Sequence, residues 1–320
     1  MLSLLTLFAA LLLDALLGEP QRGHPLVGFG RLAGLGERAL YGSGQRPAWE
    51  MRLRGTLALL GLTLPPVLLT CWLATLPYGG WLELVGLYLC LGRRSLQQHL
   101  WAIARPLARG DLEQARRLTA RIVSRDTEQL DETGLARAAV ESTLENGHDA
   151  LFATLFWFAV AGLPGALLHR LCNTLDAMWG YRTTQYLHFG WAAARSDDLL
   201  GWLPARLTAL SYCLSGHWRK GWRCWRNQAE RHDSPNAGPV MAAGAGALLL
   251  RLGGATRYQG QLRQRPRFGC GAEPCAGDIA RALQLLDRSL LWWLTVLTLL
   301  ALAPLALPDL GSVTAMGTGR

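Results

Sequence analysis

The chain has 320 residues, of which 50% are hydrophobic and 17% charged, with a mean hydropathy of +0.15 and a formal net charge of +9. This composition is apolar for a chain of this size but not uniformly so, and it fits a polytopic membrane protein with sizeable polar loops best. The seven cysteines are odd in number and lie largely in or beside apolar segments, so no disulfide framework is indicated.

Apolar segments give the first predicted elements. Residues 1–17 are apolar apart from Asp14, and no cleavage site follows them, so we interpret them as an uncleaved span rather than a signal peptide. Residues 55–76 and 289–307 are uncharged and about long enough, at roughly 20 residues, to cross a bilayer core as helices. The turn Pro77-Tyr78-Gly79-Gly80 predicts that residues 55–92 form a helical hairpin.

Residues 150–168 are a further candidate span, which Leu163-Pro164-Gly165 should bend or make re-entrant. Three weaker segments each hold a charged residue, Glu83 in 78–92, Arg206 in 199–216 and Arg251 in 240–253. A charge at the centre of a membrane helix costs roughly 2.5–3.5 kcal/mol, so these segments should face the protein interior, lie at the interface or not span.

The positive charge is almost all arginine, since Lys220 is the only lysine. It is concentrated in four regions: 22–54, 93–137, 217–231 and 251–288. The positive-inside rule places these regions on the cytoplasmic side and the C-terminal tail outside.

Strand signals are scarce, and the polar stretch 93–149 has the pattern of helices with a break at Arg109-Gly110-Asp111. We therefore predict a mainly α integral membrane protein with about four to six membrane-embedded helices and helical cytoplasmic loops. We divide it into an N-terminal span with a basic loop (1–54), a transmembrane hairpin (55–92), a cytoplasmic helical segment (93–149), a central membrane-associated block (150–254) and a basic loop with a C-terminal span (255–320).

The segment 217–231, HWRKGWRCWRNQAER, sets tryptophans at helical spacing among basic residues. This pattern is typical of a helix at the lipid headgroup level. Nucleic-acid binding is the competing use of such residues, but the segment adjoins apolar stretches and no nucleic-acid motif accompanies it.

The segment 140–150, VESTLENGHDA, carries closely spaced acids. In a single helix, Glu141, Glu145 and Asp149 would fall at i, i+4 and i+8, with His148 on the same face. Like charges at this spacing destabilise a helix by roughly a few tenths of a kcal/mol, and Mg²⁺ or a cationic substrate group would offset them. The alternative is a solvated acidic face paired with arginines of 93–137.

Residues 173–198, NTLDAMWGYRTTQYLHFGWAAARSDD, concentrate polar groups between apolar flanks. The flanks should hold this stretch at the membrane surface, near the acids of 141–149. Carboxylates hold Mg²⁺ and arginine forks bind phosphate oxygens, so the pattern predicts a site for a metal-bound polyphosphate. Surface ion pairs are the simpler alternative.

The stretch Ser234-Pro235-Asn236-Ala237-Gly238 precedes a run of small residues. It could present backbone N–H groups and the Asn236 amide to an anion, or serve as an ordinary N-cap before a closely packed helix. The chain has none of the motifs GxxxxGK[ST], GxGxxG, HExxH or GxSxG, so nucleotide chemistry would need a different kind of site.

Together and in this order, these residues resemble the CobD/CbiB family of adenosylcobinamide-phosphate synthases, membrane proteins of cobalamin biosynthesis. The resemblance covers roughly residues 5–290, and its matching stretches are LLLDALLGEPQRGHPLVGFGRL, GRRSL, IVSRDTEQL, AAVESTLENGHDALFATLFW, NTLDAMWGYRTTQYLHFGWAAARSDDLLGWLPARLTAL, SPNAG and LRLGG. The chain departs from the family pattern at Glu19, where an aspartate is usual, and at Thr154, where a proline is usual.

The resemblance implies an ATP-dependent ligase of the cell inner membrane with its site on the cytoplasmic side. It would join adenosylcobyric acid to (R)-1-amino-2-propanol O-phosphate, use Mg²⁺, and yield adenosylcobinamide phosphate. The implied partners are these two substrates, the lipid bilayer and other corrin-pathway enzymes, with no nucleic acid.

Roles at this site are assigned as hypotheses. The catalytic candidates are Glu141, Glu145, Asp176, Asp197 and Asp198. The metal candidates are Glu145, Asp149 and Asp176. The substrate-binding candidates are Asn146, Asn173, Arg182, Arg195, Arg206, Ser234 and Asn236.

The alternative class is a non-enzymatic membrane protein, either a transporter or a sensor. Asp14, Glu83 and Arg206 would then mark a path through the membrane. The concentration of polar residues near loops rather than at span midpoints argues against this class. A scaffold that anchors other corrin enzymes is the third option.

Overall fold

The computed structural model describes residues 2–20, 22–42, 46–258 and 260–306. Helices make up most of this part, and in chain order they are α1 (Leu2–Leu17), α2 (Pro25–Tyr41), α3 (Ala48–Ala74), α4 (Gly79–Cys90), α5 (Arg93–Ala108), α6 (Leu112–Thr119), α7 (Glu132–Gly147), α8 (Ala153–Trp179), α9 (Tyr186–Phe189), α10 (Trp191–Ser215), α11 (Trp218–Gln228), α12 (Ala237–Leu248) and α13 (Ala276–Ala306). A π-helical turn, His148–Phe152, joins α7 to α8. The predicted mainly α polytopic membrane fold is confirmed.

Within the described ranges, three helical runs are long and apolar enough to cross a membrane: Ala48–Ala74, Glu132–Trp179 and Ala276–Ala303. They overlap the predicted spans 55–76, 150–168 and 289–307. Large side chains on the first and last runs, such as Leu68 and Leu299, are 63% and 62% exposed, which lipid would cover. The C-terminal tail, which the charge pattern places outside, lies beyond the described residues.

The predicted N-terminal span forms α1, which packs against α4. Its 16 residues are fewer than the roughly 20 that cross a bilayer core. The Asp14 carboxylate is buried and accepts the backbone N–H of Arg94, at the start of α5, over 3.1 Å. Asp14 therefore caps another helix, where it satisfies a backbone donor that has no partner within α5.

The hairpin and the helix breaks follow local chain chemistry. The turn between α3 and α4 lies where the Pro-Tyr-Gly-Gly sequence predicts it. Gly110 has φ +76°, which favours glycine, and Asp111 then caps α6 by accepting the Gln114 N–H over 3.0 Å. The predicted break at residues 109–111 is confirmed.

The helix α8 is bent at Ala161 and Gly162, which leave the helical conformation. Gly162 has φ +63°, and Pro164 lies in the first turn of the helix that resumes, where its missing N–H costs no hydrogen bond. The predicted break at Leu163 therefore occurs two residues earlier, and it produces a bend.

Four short strands interrupt the region that the sequence presents only as a basic loop: β1 (Arg251–Gly253), β2 (Thr256–Tyr258), β3 (Gln261–Arg263) and β4 (Arg267–Gly269). Two antiparallel pairs form, with Leu252 opposite Phe268 in β1–β4 and Arg257 opposite Leu262 in β2–β3. Strands of three residues are too short for alternation of apolar and polar residues to reveal them.

The helix α12 lies at the centre of the fold, and all of its residues are buried. It packs against α10 and α11, and its small residues let the neighbouring chains approach. A Cβ atom on Gly244 would lie 2.6 Å from a Leu144 methyl carbon, and one on Gly246 would lie 2.7 Å from the Lys220 carbonyl oxygen. The close-packing interpretation of this segment is confirmed, and α12 fixes the position of the polar turn that precedes it.

Candidate active site

Two adjoining cavities lie beside the polar ends of the central helices. The first, about 630 Å³, has Glu145, Asp149, Asp176 and Asp197 among its lining residues, and we call it the acidic cleft. The second, about 710 Å³, we call the arginine cavity, and its cationic lining residues include Arg182, Arg195, Arg206 and Arg226. The two share Tyr181, His232 and Asp233, so they form neighbouring parts of one depression.

The acids of 140–150 do not lie on one regular helix. The helix α7 ends at Gly147, and the π-helical turn that follows shifts Asp149 relative to the α-helical register. Glu145 and Asp149 line the acidic cleft, whereas Glu141 does not. The expectation of a single shared face was therefore wrong for Asp149, because it assumed that the α-helical period continues past Gly147. Glu141 and Glu145 do share a face of α7, but Glu141 is paired with arginines and does not reach the cleft.

Glu141 lies beneath the cleft, where both of its carboxylate oxygens accept hydrogen bonds. Its side chain, 2% exposed, forms ion pairs with Arg125 and with Arg265, whose Nη1 lies 2.8 Å from Oε2. Its Oε1 accepts the Gly253 backbone N–H over 2.6 Å. The alternative that acids here pair with arginines of 93–137 is thus realised for Glu141 and Arg125, but in a buried rather than a solvated setting.

His148 and Asn146 are polar residues close in sequence to Asp149, the acid of the π-helical turn. His148 is buried, with Nδ1 3.2 Å from the Thr208 hydroxyl and Nε2 3.7 Å from the Asp149 carboxylate. Asn146 lines the acidic cleft and donates to the Ser142 hydroxyl over 2.8 Å. His148 thus lies beside the Asp149 carboxylate, whereas Asn146 is held by Ser142 of the same helix.

The stretch 173–198 supplies the rest of the acidic lining, from the end of α8 and the start of α10. Asn173 donates from Nδ2 to Oδ1 of Asp197 over 3.1 Å. Asp176 lies against Gly180, where an added Cβ atom would be 2.0 Å from Asp176 Oδ1. Glycine at this position therefore leaves room for the carboxylate.

The negative charges of the cleft affect one another. Burial raises the pKa of Asp197 to about 6, the charges of Asp198 and Glu145 add to the rise, and the Asn173 amide opposes it. Burial also raises the pKa of Asp198, against the positive charges of Arg195 and Arg182. Asp197 is therefore suited to exchange a proton near neutral pH or to bind a cation.

The turn before α12 contributes both structure and lining. The Ser234 hydroxyl accepts the backbone N–H groups of Asn236 and Ala237, each over 3.2 Å, and so holds the turn before α12. The N-cap residue itself, Asn236, makes no side-chain cap hydrogen bond. Asn236 donates from Nδ2 to the Asp198 carbonyl oxygen over 3.0 Å and to that of Asp197 over 3.4 Å. Ser234 and Asn236 also line the acidic cleft, where a substrate could reach them. Their contact with substrate stays a prediction.

The three predicted phosphate-binding arginines, Arg182, Arg195 and Arg206, line the arginine cavity rather than the acidic cleft. Arg206 is held by a hydrogen bond to the Trp202 carbonyl oxygen over 2.6 Å, with its guanidinium 4.1 Å from the Trp202 ring centre. Asp198 lies in this cavity as well, 3.9 Å from Arg195. The stretch 173–198 thus contributes to both cavities, with Asp197 and Asp198 on different sides.

Sequence reasoning missed several lining residues because they come from distant parts of the chain. The acidic cleft is also lined by Arg125, Tyr258, Arg263 and Arg265. Arg125 lies in the family-matching stretch IVSRDTEQL but was given no role there, and the other three lie in the basic region 251–288. Burial and the positive charge of Arg265 lower the pKa of His232, and its Nδ1 accepts the Ser234 N–H over 2.9 Å. A neutral His232 therefore carries its proton on Nε2 and can donate it in a hydrogen bond.

No three His, Cys, Asp or Glu side chains in the described residues already converge as a preformed metal centre. The metal roles of Glu145, Asp149 and Asp176 accordingly stay predictions. The donor set suits Mg²⁺, which commonly keeps several water molecules and is bound by one or two carboxylates plus substrate phosphates.

Comparisons with known proteins extend over most of the chain. Residues 7–286 match the family described as CobD/Cbib protein. A cobalamin biosynthesis protein CobD from Chromobacterium violaceum is 59% identical over 91% of this chain and 94% of its own length. Proteins of the same description from Stutzerimonas stutzeri and Mycobacterium tuberculosis are 58% and 44% identical, over 92% and 86% of this chain and 96% and 88% of their own lengths. No solved structure matches the chain.

Proposed function

The chain belongs to the CobD/Cbib protein family of cobalamin biosynthesis, and from this premise we propose that it is the ligase that forms adenosylcobinamide phosphate. It would join a propionate of adenosylcobyric acid to the amine of (R)-1-amino-2-propanol O-phosphate, with hydrolysis of ATP. The observation that carries the proposal is the acidic cleft, in which four carboxylates and the paired Arg125 and Arg265 line one space.

Amide formation requires that the carboxylate first be activated. In the proposed reaction the propionate oxygen attacks the γ-phosphorus of ATP, ADP leaves, and an acyl phosphate forms. The amine nitrogen then attacks the acyl carbon, the C–O bond breaks, inorganic phosphate leaves, and the amine releases a proton. Arginines can stabilise the charge on the phosphoryl oxygens in such a transfer.

Asp197 is the proposed acceptor of the amine proton. With a pKa of about 6 it is largely ionised at neutral pH, yet close enough to neutrality to take up a proton during the reaction. The Asn173 amide holds one carboxylate oxygen at 3.1 Å and leaves the other for the amine. Glu145, Asp149 and Asp176 would bind Mg²⁺, which supplies charge neutralisation for the phosphates.

The arginine cavity is the proposed binding site of the corrinoid. Its lining combines the aromatic rings of Tyr186, Trp191 and Trp225 with arginines and polar groups. A macrocycle with apolar faces and peripheral carboxamides needs both kinds of contact. Because the two cavities share Tyr181 and His232, a propionate of a corrinoid in one could reach the other.

The proposed location is the cell inner membrane with both cavities on the cytoplasmic side. The arginine-rich regions 93–137 and 217–231 support this orientation through the positive-inside rule. In α11 the Trp218 and Trp222 rings stack at 5.5 Å and are 43% and 38% exposed, as expected for a helix at the headgroup level. Cytoplasmic ATP would then have direct access to the site.

The proposal is tested with purified protein in lipid nanodiscs, given adenosylcobyric acid, aminopropanol phosphate and Mg-ATP. The expected result is a corrinoid whose mass equals that of the amide, formed together with ADP and only when all three substrates are present. Folded protein that yields no amide under these conditions would contradict the proposal.

A transporter is the alternative, and it relies on Asp14, Glu83 and Arg206 as charges within the membrane. Asp14 instead accepts a backbone N–H of α5, and Arg206 lies in the arginine cavity, so the two have separate surroundings. Uptake of labelled corrinoid into sealed vesicles without ATP, with no amide product, would favour transport.

A further inference from the structure

Two arginines that line the acidic cleft are held by ion pairs with a buried glutamate. Arg125 follows α6, and Arg265 lies between β3 and β4, yet both bind the same carboxylate, that of Glu141 in α7. Their side chains are only 9% and 17% exposed, and both line the cleft. Their guanidinium groups are therefore held in place before any ligand binds.

Charge is not balanced within this group. One carboxylate faces two guanidinium groups, and its Oε1 also accepts the Gly253 N–H, so the group keeps one net positive charge. Glu145 interacts electrostatically with both arginines, but within the described residues it forms no ion pair with either. Each guanidinium has five N–H donors, and Glu141 does not use all of them. Donors therefore remain for a ligand in the cleft.

We propose that Arg125 and Arg265 form a binding site for a phosphate group, with Glu141 as its positioning residue. Guanidinium forks match the oxygens of a phosphate in pairs, and a preorganised pair loses little entropy on binding. The neighbouring carboxylates repel a bare anion, so a ligand that carries a cation near its phosphate fits best. Aminopropanol phosphate, through its ammonium group, and Mg-ATP both meet this condition.

Arg195, a predicted phosphate contact in the arginine cavity, is less suited to this role. The Arg195 side chain is 68% exposed, and its nearest acid, Asp198, lies 3.9 Å away. An exposed, loosely held arginine must lose side-chain entropy when it binds, and solvent screens its charge. The inference thus adds Arg125 and Arg265 to the predicted phosphate contacts Arg182, Arg195 and Arg206, and it rests on the proposed function only for the identity of the phosphate-bearing substrate.

The test measures KM and kcat separately for aminopropanol phosphate and for ATP in Arg265→Lys and Glu141→Gln. Loss of a bidentate charged contact should raise the KM of the substrate whose phosphate binds here by about tenfold or more. For Arg265→Lys, kcat should change by less than about threefold, because the contact is made in ground and transition states alike. Arg267→Lys, the same substitution two residues along the chain and outside the cleft lining, is the matched control.

The two substrates give different results. If KM rises for aminopropanol phosphate alone, and the protein no longer prefers it over unphosphorylated aminopropanol, the site binds the amine substrate. If KM rises for ATP alone, the site binds the nucleotide. Unchanged KM values for both substrates in folded Arg265→Lys protein would overturn the inference.

A second measurement uses the wild-type protein and does not depend on ligase activity. Phenylglyoxal modification is mapped by mass spectrometry with and without inorganic phosphate, and Mg²⁺ is present in both samples to offset the charge of the neighbouring carboxylates. Phosphate with Mg²⁺ should slow modification of Arg265 by about threefold or more while Arg267 reacts at the same rate. Equal rates at Arg265 with and without phosphate would contradict the site even if the ligase reaction were confirmed, whereas protection without amide formation would leave the site standing and reject the function.

Discussion

The acidic cleft and the arginine cavity adjoin each other but are built differently. In the acidic cleft, charged groups are fixed by buried contacts, as in the Asn173–Asp197 hydrogen bond of 3.1 Å and the ion pair of Glu141 with Arg265. In the arginine cavity, by contrast, the Arg195 side chain is 68% exposed, and its guanidinium lies as far as 3.9 Å from the Asp198 carboxylate. Fixed charge suits bond-making steps, whereas an open cavity lined by aromatic rings and arginines suits a bulky substrate. The difference predicts that substitutions of the carboxylates of the acidic cleft affect kcat, whereas substitutions in the arginine cavity affect KM.

The largest expected effect comes from Asp197→Asn. The amide cannot accept the amine proton, so kcat should fall by about 10²–10⁴-fold. In Asp198→Asn, the matched substitution one residue along, kcat should fall by less than about tenfold, because the Asp198 carboxylate lines the arginine cavity and not the acidic cleft. Product formation under saturating substrates measures both. Equal losses in the two variants would remove the functional distinction between the cavities.

Gly180→Ala should produce the next largest loss. Its Cβ atom would lie 2.0 Å from Asp176 Oδ1, so the carboxylate must move, and a displacement of about 1 Å can cost roughly 100-fold in rate. Gly61→Ala in α3 is the control, because nothing lies within 4 Å of its added Cβ atom. Wild-type kcat in Gly180→Ala would show that the position of Asp176 is not critical.

Trp225→Ala should weaken binding of the corrinoid in the arginine cavity. Removal of an indole from the arginine cavity is expected to raise the KM for adenosylcobyric acid by about tenfold, with the KM for aminopropanol phosphate unchanged. Quenching of tryptophan fluorescence by the corrinoid gives an independent binding constant. A change confined to the amine KM would place the corrinoid elsewhere.

The smallest effect concerns pH and Mg²⁺. Since the pKa of Asp197 is raised from 3.8 to about 6 in the folded protein, the folded state favours the protonated form. The stability from this group is fully present below pH about 4 and is lost as pH rises through about 6. The negative charge of Glu145, a proposed Mg²⁺ ligand, contributes to the raised pKa of Asp197. Mg²⁺ bound there should therefore offset part of the loss and raise Tm by about 2–4 °C at neutral pH and less at about pH 5. Asp197→Asn should reduce this pH dependence, and an equal Mg²⁺ effect at both pH values would argue against a role for Asp197.

Local chain chemistry made much of the fold predictable. Uncharged segments near 55–76 and 289–307 indicated the long apolar helices, Gly110 marked a break, and the density of acids and arginines in 173–198 located the depression. Each of these signals lies within a few residues, which is the range over which periodicity and turn preferences act.

Contacts between distant residues were not predictable in the same way. Arg125 and Arg265 meet at Glu141 although 140 positions separate the two arginines, and the three-residue strands that hold Arg265 leave no periodic trace. The π-helical turn that separates Asp149 from the register of Glu141 also looks like ordinary helix in the sequence. The proposed reaction came from the family resemblance, while only the structure divided the predicted residues between two cavities.

The most direct test of amide formation through a phosphorylated carboxylate uses ¹⁸O in the reacting propionate of adenosylcobyric acid. Wild-type protein with aminopropanol phosphate and Mg-ATP should yield the amide and inorganic phosphate that carries one ¹⁸O atom, because the C–O bond of the acyl phosphate breaks when the amine attacks. Absence of an ATP-dependent amide, or formation of the amide with unlabelled phosphate, would contradict the account.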